Sequence, residues 1–348
     1  MTVRARCALL FAMLALAAPA SAAAPAKRLF VDDSPIRLTI RGPIAEFARG
    51  TRGREPREAS LTVAVPTSET LPVRLSPRGI TRLKRDVCQF PPLRVEFPVA
   101  PPAASLFEGQ RRLKLVTHCR AAPGFQQHLL LEYAAYRLYN QLTPASFRVR
   151  LASIDYVDGG GRPFASRMGF FIEEHDDLAA RLGGSRAAVG DRISPSQLSR
   201  RDAARAAMFA YMIGNLDWSM RAGPPGEGCC HNFRLVAPAG APGRLIPVPY
   251  DFDFSGLVDA PYATPPDVIP VGSVRKRHYM GYCFFNAEAL AAAAEFRAQR
   301  PALLASLGAT PGLDESARRK AAAYLDGFFA DIATDQDIGE RVLKNCIR

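Results

Sequence analysis

Two short polar segments, each beside an apolar run, constrain the fold of this chain more than any other feature. The first, residues 214–219, follows an Ala-rich helical run and leads to residues 230–235, which open an apolar strand. The second, residues 246–253, is a short apolar strand that ends in Tyr-Asp-Phe-Asp. Their polar side chains can act together only if the fold brings one helix end and two strand ends to the same place.

The three polar positions are Asp217, Asn232 and Asp251, and their chemistry is typical of phosphoryl-transfer sites. Such a site needs a carboxylate that orients or deprotonates the attacking hydroxyl, and oxygen ligands that hold Mg²⁺ against the phosphates of a nucleotide. We therefore assign Asp217 as the catalytic carboxylate, Asn232 and Asp251 as metal ligands, and Asp253 as a further metal ligand. The structural alternative is that Asp217 caps a turn and that Asp251 and Asp253 end a strand.

The first residues of the chain predict export. Arg4 and Arg6 precede an apolar run at residues 8–18, and small residues at 19–22 form a cleavage site. This pattern is a secretory signal peptide, which we assign to residues 1–22. No other apolar run approaches the roughly 20 residues that a membrane span needs. We expect a periplasmic or secreted protein without a transmembrane segment.

Cysteine usage also predicts an oxidising compartment. Six cysteines remain after the predicted cleavage: Cys88, Cys119, Cys229, Cys230, Cys283 and Cys346. In an exported chain they predict disulfides, and no two Cys-x-x-Cys pairs are present to favour zinc. We expect Cys88 to pair with Cys119. The adjacent Cys229 and Cys230 are not expected to bridge to each other, so either would pair with Cys283 or Cys346.

The charge of the chain restricts its partners. The formal net charge is +12 at pH 7, and such a surface attracts polyanions. The sequence contains no regular Lys/Arg helix and no aromatic RNA-binding signature, so nucleic acid is not an expected partner. Some of the positive charge is suited to a nucleotide.

Apolar periodicity divides the chain into two parts, residues 23–175 and residues 176–348. The first part contains alternating runs that predict strands at 36–40, 60–65, 93–97, 113–117, 149–157 and 167–172, and one helix at 126–142. The second part predicts helices at 196–213, 286–307 and 315–332 and a short strand pair. We predict an α+β protein with a β-rich N-lobe, a mostly helical C-lobe and a cleft between them.

Two motifs carry a resemblance to a known family. Residues 213–218, Ile-Gly-Asn-Leu-Asp-Trp, and residues 249–253, Pro-Tyr-Asp-Phe-Asp, resemble the Gly-Asn-x-Asp-Trp catalytic loop and the Pro-Trp-Asp-x-Asp metal segment of the CotH (spore-coat kinase) family. The segment around Arg78-Gly79 and the strand and helix at 113–142 are weaker matches. The chain is thus similar to these atypical protein kinases and, more distantly, to HipA-like kinases.

The resemblance implies a kinase-like fold, ATP and Mg²⁺ as cofactors, and a hydroxyl of an exported protein or glycan as the acceptor. It gives Asp217, Asn232 and Asp251 the roles assigned above. Arg78 would serve in place of a Gly-rich loop. Lys114 and Glu132, eighteen residues apart, have the spacing of a phosphate-binding lysine and its helix glutamate, and Lys84 is the competing lysine.

Two other functions are open from the sequence. Asp217 and Asn232 are fifteen residues apart, where ordinary kinases keep about five, and a Gly-x-Gly-x-x-Gly loop is absent. These departures favour a catalytically inactive, kinase-like binding or envelope-assembly module. A metal-dependent hydrolase is the third interpretation, although its histidines lie in no compact metal motif. Its ligands would be three carboxylates and two histidines: Asp217, Asp251, Asp253, His231 and His278.

Overall fold

The computed structural model describes residues 23–49, 53–64, 68–241 and 243–348. The signal peptide predicted at residues 1–22 lies outside these residues and stays a prediction. Within the described ranges, no helix combines the length and apolar character that a membrane span needs.

Strands of the first half close into a barrel. Their order in the described residues is β1-β2-β3-β4-β5-β7-β6, and β6 returns to β1. The bounds are β1 Ile36–Gly42, β2 Arg57–Val63, β3 Glu69–Pro77, β4 Leu93–Glu96, β5 Arg112–Val116, β6 Val149–Asp158 and β7 Pro163–Ile172. All neighbours pair antiparallel except β1 and β6, whose parallel pairing closes the barrel.

Alternation of apolar and polar residues explains the barrel strands. Along β1, the side chains of Ile36, Leu38 and Ile40 are buried and those between them are more exposed, because successive side chains of a strand point to opposite faces. The predicted strands are confirmed. β3 was missed as a separate strand, and the closure was not predicted, because a period of two identifies a face and not a partner.

The helices of the described residues lie in both parts of the chain, and those predicted at 126–142, 196–213, 286–307 and 315–332 are among them. Their bounds are α1 Ile44–Arg49, α2 Pro123–Leu142, α3 His175–Arg181, α4 Arg200–Ile213, α5 Asn286–Gly308, α6 Glu315–Asp331 and α7 Asp335–Asp337. A small antiparallel sheet has the order β10-β9-β8, with bounds β8 Gly184–Arg186, β9 Phe233–Pro238 and β10 Ile246–Pro249. The mixed α and β class predicted from the sequence is confirmed.

Buried apolar residues form two clusters. One fills the barrel, and the other surrounds α2, α4, α5 and α6. Helix α2 contributes Tyr136 and Tyr139 to the second cluster, although it precedes the division predicted at residue 175. It therefore links the barrel to the helical part.

Three disulfides are present among the described residues. Cys88 pairs with Cys119, as predicted. The prediction for the other four was wrong: Cys229 bridges to its neighbour Cys230, and Cys283 bridges to Cys346. The reason is tertiary, because the last residues of the chain return to Cys283. The Cα atoms of Cys283 and Cys346 are 4.9 Å apart, so the adjacent pair is left with itself.

Candidate functional site

The end of α4 fixes the loop that carries Asp217. Gly214 ends the helix at a φ of +64°, and a Cβ there would collide with the hydroxyl of Tyr324. Glycine adopts this left-handed conformation without steric cost. The Oδ1 of Asn215 then accepts a hydrogen bond from the Asp217 backbone N–H at 3.1 Å, and Trp218 Nε1 donates to the Asn215 carbonyl at 3.0 Å. The Gly-Asn-x-Asp-Trp motif is thus a rigid turn that presents Asp217.

Two residues from the following segment hold the carboxylate of Asp217. His231 Nε2 lies 2.7 Å from Oδ1, and Asn232 Nδ2 donates to the Asp217 carbonyl at 2.7 Å and to Oδ2 at 3.0 Å. Backbone hydrogen bonds of 3.0 and 3.1 Å between Ser219 and His231 fold the intervening residues back. The fifteen-residue separation therefore does not keep the side chain of Asn232 away from that of Asp217. The hydrogen bond to Asp217 raises the pKa of His231, against the effect of its burial.

Asn232 and Asp251 lie side by side because of the strand register. Asn232 directly precedes β9, whose first residue Phe233 pairs with the last residue of β10, Pro249. Tyr250 N–H then donates to the Asn232 carbonyl at 3.0 Å. Asn232 and Asp251 have φ values of +51° and +65°, in the left-handed region where Asn and Asp are the most frequent residues after glycine.

An ionic cluster lies beneath Asp251. The guanidinium of Arg82 contacts Glu132 at 3.0 Å, Asp251 at 3.2 Å and Asp253 at 3.2 Å, and Tyr262 donates to Asp253 at 3.0 Å. The side chains of Arg82, Glu132 and Asp253 are 9%, 2% and 7% exposed, whereas Asp251 is 36% exposed. Burial raises the pKa of Glu132 and of Asp253, and the Arg82 charge opposes that rise.

Arg82 corrects one prediction. Glu132 does not pair with Lys114 in the structure. Its carboxylate forms an ion pair with the guanidinium of Arg82 instead. Arg82 reaches it from the turn after β3 and can serve three carboxylates, since a guanidinium carries five N–H donors. Lys84, the competing lysine, is exposed at the surface.

Lys114 contacts the aromatic ring of Tyr250 and not Glu132. Its Nζ is 5.0 Å from the centre of the Tyr250 ring, and the guanidinium carbon of Arg234 is 4.8 Å from the same ring. Burial, together with the nearby charge of Arg78, lowers the pKa of Lys114 to about 7. Arg78 follows β3 and is also partly buried.

Most predicted site residues share one cavity of about 600 Å³. Arg78, Asp217, Asn232, Asp251 and Asp253 line it. We call it the acidic cleft. Lys114 instead lines an adjoining cavity of about 310 Å³, which we call the basic cavity, and Arg234 lines both. Glu132 lines neither and contacts the site through Arg82.

Sequence reasoning missed three contributors to this site. Arg82 stands four residues after Arg78, and a second arginine at that spacing was the available signal. His231 was considered as a ligand for a hydrolase metal and not as the partner of Asp217. Arg234 had no signal, because only the β9–β10 pairing brings it to Tyr250.

The hydrolase interpretation loses its ligand set. Among the described residues, three side chains, Glu132, Asp251 and Asp253, place possible ligand atoms within 4.8 Å of one another. That group includes neither His231 nor His278. His231 instead contacts Asp217, so within the described residues the five proposed ligands do not form one metal-binding group.

Comparisons with known proteins give little further guidance. No family model matches the sequence, and no curated protein matches it. Among solved structures, the crystal structure of the Helicobacter pylori proinflammatory kinase CtkA aligns with 72% of this chain and 94% of that chain, at 12% identity and a TM-score of 0.38. A score at that level does not establish a shared fold. Membership of the spore-coat kinase family stays a prediction.

Proposed function

We propose that this chain is an atypical kinase, a phosphotransferase that moves a phosphoryl group from a nucleotide such as ATP to a hydroxyl of an exported protein or glycan. One observation carries the proposal: Asp217, Asn232 and Asp251 line the same cleft. A carboxylate for the acceptor and two oxygen donors for a cation are the parts that phosphoryl transfer requires.

Asp217 is the residue that would receive the acceptor. Its side chain is 31% exposed at the cleft, and His231 and Asn232 fix both carboxylate oxygens. In this position it would orient the acceptor hydroxyl and take its proton as the oxygen–phosphorus bond forms. The hydrogen bonds hold the carboxylate in one orientation, and positioning is the larger part of catalysis in phosphoryl transfer.

Asn232 and Asp251 fit a magnesium ion. Asn232 commits its Nδ2 to Asp217, so its Oδ1 is the atom it can offer to a cation. Asp251 is partly exposed and shares the cleft, whereas Asp253 is buried against Arg82 and Tyr262 and is the weaker candidate. Bound Mg²⁺ would neutralise phosphate charge and position the transferred group.

The two parts of the chain both contribute to the cleft, which supports a two-lobed arrangement. Arg78 and Arg82 come from the β-rich part, residues 23–175, and Asp217 and Asp251 from the helical part, residues 176–348. The disulfides support export, because such bridges persist in oxidising compartments such as the periplasm or the extracellular space. This favours acceptors among envelope or secreted molecules.

The test is phosphoryl transfer by an Asp217→Ala variant, measured with labelled ATP and Mg²⁺ on extracts of envelope proteins and glycans. We expect a loss on the order of a hundredfold or more, with nucleotide binding and melting temperature retained. Asp326→Ala, which removes an exposed carboxylate of α6, is the matched control and should keep full activity. Unchanged transfer by a folded Asp217→Ala protein would exclude the proposed mechanism.

Calorimetry separates the metal residues. Asp251→Asn should weaken binding of Mg²⁺-ATP more than it weakens folding, because the amide keeps one oxygen and loses the charge. Asp253→Asn should have the smaller effect on binding. If the wild type binds no nucleotide, the non-catalytic binding module becomes the better interpretation. The ion pairs that Arg82 already forms with Glu132, Asp251 and Asp253 favour that interpretation.

A further inference from the structure

The disulfide between Cys229 and Cys230 lies where the acidic cleft and the basic cavity adjoin. Cys230 lines the acidic cleft and Cys229 lines the basic cavity, so the bridge joins the walls of the two. We call it the adjacent bridge. Cys230 is buried, whereas Cys229 is partly exposed at the basic cavity. The adjacent bridge is therefore at a surface that solvent reaches.

Stability does not account for the adjacent bridge. A disulfide stabilises a fold mainly by closing a loop of the unfolded chain, and its contribution grows with the length of that loop. The bridge between Cys283 and Cys346 has a sequence separation of 63 residues, whereas that between Cys229 and Cys230 has a separation of 1. The adjacent bridge therefore restrains little beyond the backbone of its own two residues, and the effect of opening it is local.

The two residues that directly follow the adjacent bridge are those that hold Asp217. His231 Nε2 lies 2.7 Å from Oδ1 of Asp217, and Asn232 Nδ2 donates to Oδ2 at 3.0 Å. One peptide bond joins Cys230 to His231. A change of backbone conformation at Cys230 is therefore passed directly to both side chains that orient the carboxylate.

The adjacent bridge also closes the loop of residues 220–230 onto its own start. The Met220 carbonyl oxygen lies 3.2 Å from Sγ of Cys230, at the other end of the loop. At the base of the loop, the Ser219 N–H donates to the His231 carbonyl at 3.0 Å, and the His231 N–H donates to the Ser219 carbonyl at 3.1 Å. The bridge thus packs directly above the backbone pair that places His231.

We propose that the adjacent bridge is a redox switch of the site. When it is closed, it fixes the backbone that places His231 and Asn232 against Asp217; when a dithiol reduces it, that backbone is released and phosphoryl transfer falls. The proposal rests on the proposed function, because it gives the regulation of that same site.

The reduction is an ordinary exchange of thiols and disulfides. A thiolate of the dithiol attacks Sγ of Cys229, the more exposed sulfur, and Sγ of Cys230 leaves as a thiolate and takes a proton. The second thiol of the dithiol then attacks the reductant sulfur of the mixed disulfide and releases Cys229. Two electrons and two protons pass from the dithiol to the protein, and the dithiol becomes a disulfide.

The experiment is amide hydrogen exchange of the purified protein with and without dithiothreitol, followed by mass spectrometry of residues 217–232. We expect the amides of Ser219 and His231 to exchange on the order of tenfold faster after reduction, because local opening of the loop base becomes easier. Phosphoryl transfer from labelled ATP should fall on the order of tenfold or more, since small misplacement of a catalytic group has that effect. Thiol labelling in the same samples reports which bridges are open.

Two double variants assign the effect to the adjacent bridge. Serine at both Cys229 and Cys230 should give the fast exchange of the reduced protein whether or not dithiothreitol is present. Serine at both Cys283 and Cys346 removes another bridge and should keep the full response. The proposal is overturned if exchange at residues 217–232 is equal before and after the adjacent bridge opens, or if the first variant exchanges like the oxidised wild type. If that variant does not fold, the wild type decides: exchange must accelerate in step with labelling of Cys229 and Cys230, and acceleration that follows another bridge overturns the proposal.

The redox switch and the proposed function can fail separately, because hydrogen exchange requires no activity. Faster exchange after reduction, together with phosphoryl transfer that is insensitive to Asp217→Ala, would reject only the proposed function. Transfer that requires Asp217, together with exchange and transfer that are the same in the oxidised and reduced protein, would reject only the redox switch.

Discussion

Replacement of Arg82 by methionine tests the ionic cluster that supports the site. Arg82→Met keeps most of the side-chain volume and removes the positive charge that Glu132, Asp251 and Asp253 share. The three carboxylates would then face one another, two of them almost fully buried. The change should lower the free energy of unfolding strongly and leave the barrel and the helices intact.

The magnitude follows from burial. Removal of one partner of a buried ion pair costs about 3–5 kcal/mol, because the remaining charge stays in the protein without compensation. The chain can limit this cost by protonating a carboxyl group. For a glutamate of ordinary pKa near 4.3, protonation at pH 7.5 costs about 4 kcal/mol at 1.36 kcal/mol per pH unit. Both routes predict a loss of about 3–5 kcal/mol for Arg82→Met at pH 7.5.

The loss should depend on pH. Burial already raises the pKa of Glu132, which is 2% exposed, and the raised pKa rises further when Arg82 is removed. A carboxyl group with a raised folded-state pKa favours folding below its unfolded pKa and loses that contribution as the pH rises. Arg82→Met should therefore recover up to about 2.7 kcal/mol between pH 7.5 and pH 5.5, relative to the wild type.

Urea unfolding followed by tryptophan fluorescence measures both effects. Trp218 is the one tryptophan of the chain and packs against Phe233, with ring centres 5.3 Å apart. Arg82→Met combined with Glu132→Gln should regain part of the loss. Arg300→Met, at an exposed pair with Asp326, should cost less than about 1 kcal/mol. The reasoning would be refuted if Arg82→Met lost less than about 1 kcal/mol of unfolding free energy at pH 7.5, or if that loss were the same at pH 5.5 and pH 7.5.

The remaining predictions concern a lysine and two disulfides. Because burial lowers its pKa to about 7, Lys114 should be acetylated faster than the other lysines at pH 7.5, which mass spectrometry measures; an equal rate contradicts this. Serine in place of Cys283 and Cys346 should cost about 4 kcal/mol in urea, since their bridge closes a separation of 63 residues. The same change at Cys229 and Cys230, separated by 1, should cost far less, and equal losses would refute the loop-closure argument.

Local pattern was enough to find most elements and to propose part of the candidate site. The apolar spacing along α2 and the alternation along β6 identify a helix and a strand without knowledge of their neighbours. Asp217, Asn232 and Asp251 were also recognisable from the chain, because each stands at the end of a helix or a strand. For such residues, the few neighbouring positions in the sequence are enough to predict the helix or strand that positions them.

Contacts between distant residues decided the rest. Arg82 reaches Glu132 and Asp251 across sequence separations of 50 and 169 residues, and no local pattern reports such a pair. Lys114 had the spacing of a glutamate partner and lies instead over Tyr250 with Arg234. Secondary structure follows from backbone hydrogen bonds and from which face is apolar, both of which are short-range. Which charge meets which carboxylate follows from strand register, barrel closure and the competition of side chains for one buried partner, and these are set only when the whole chain has folded.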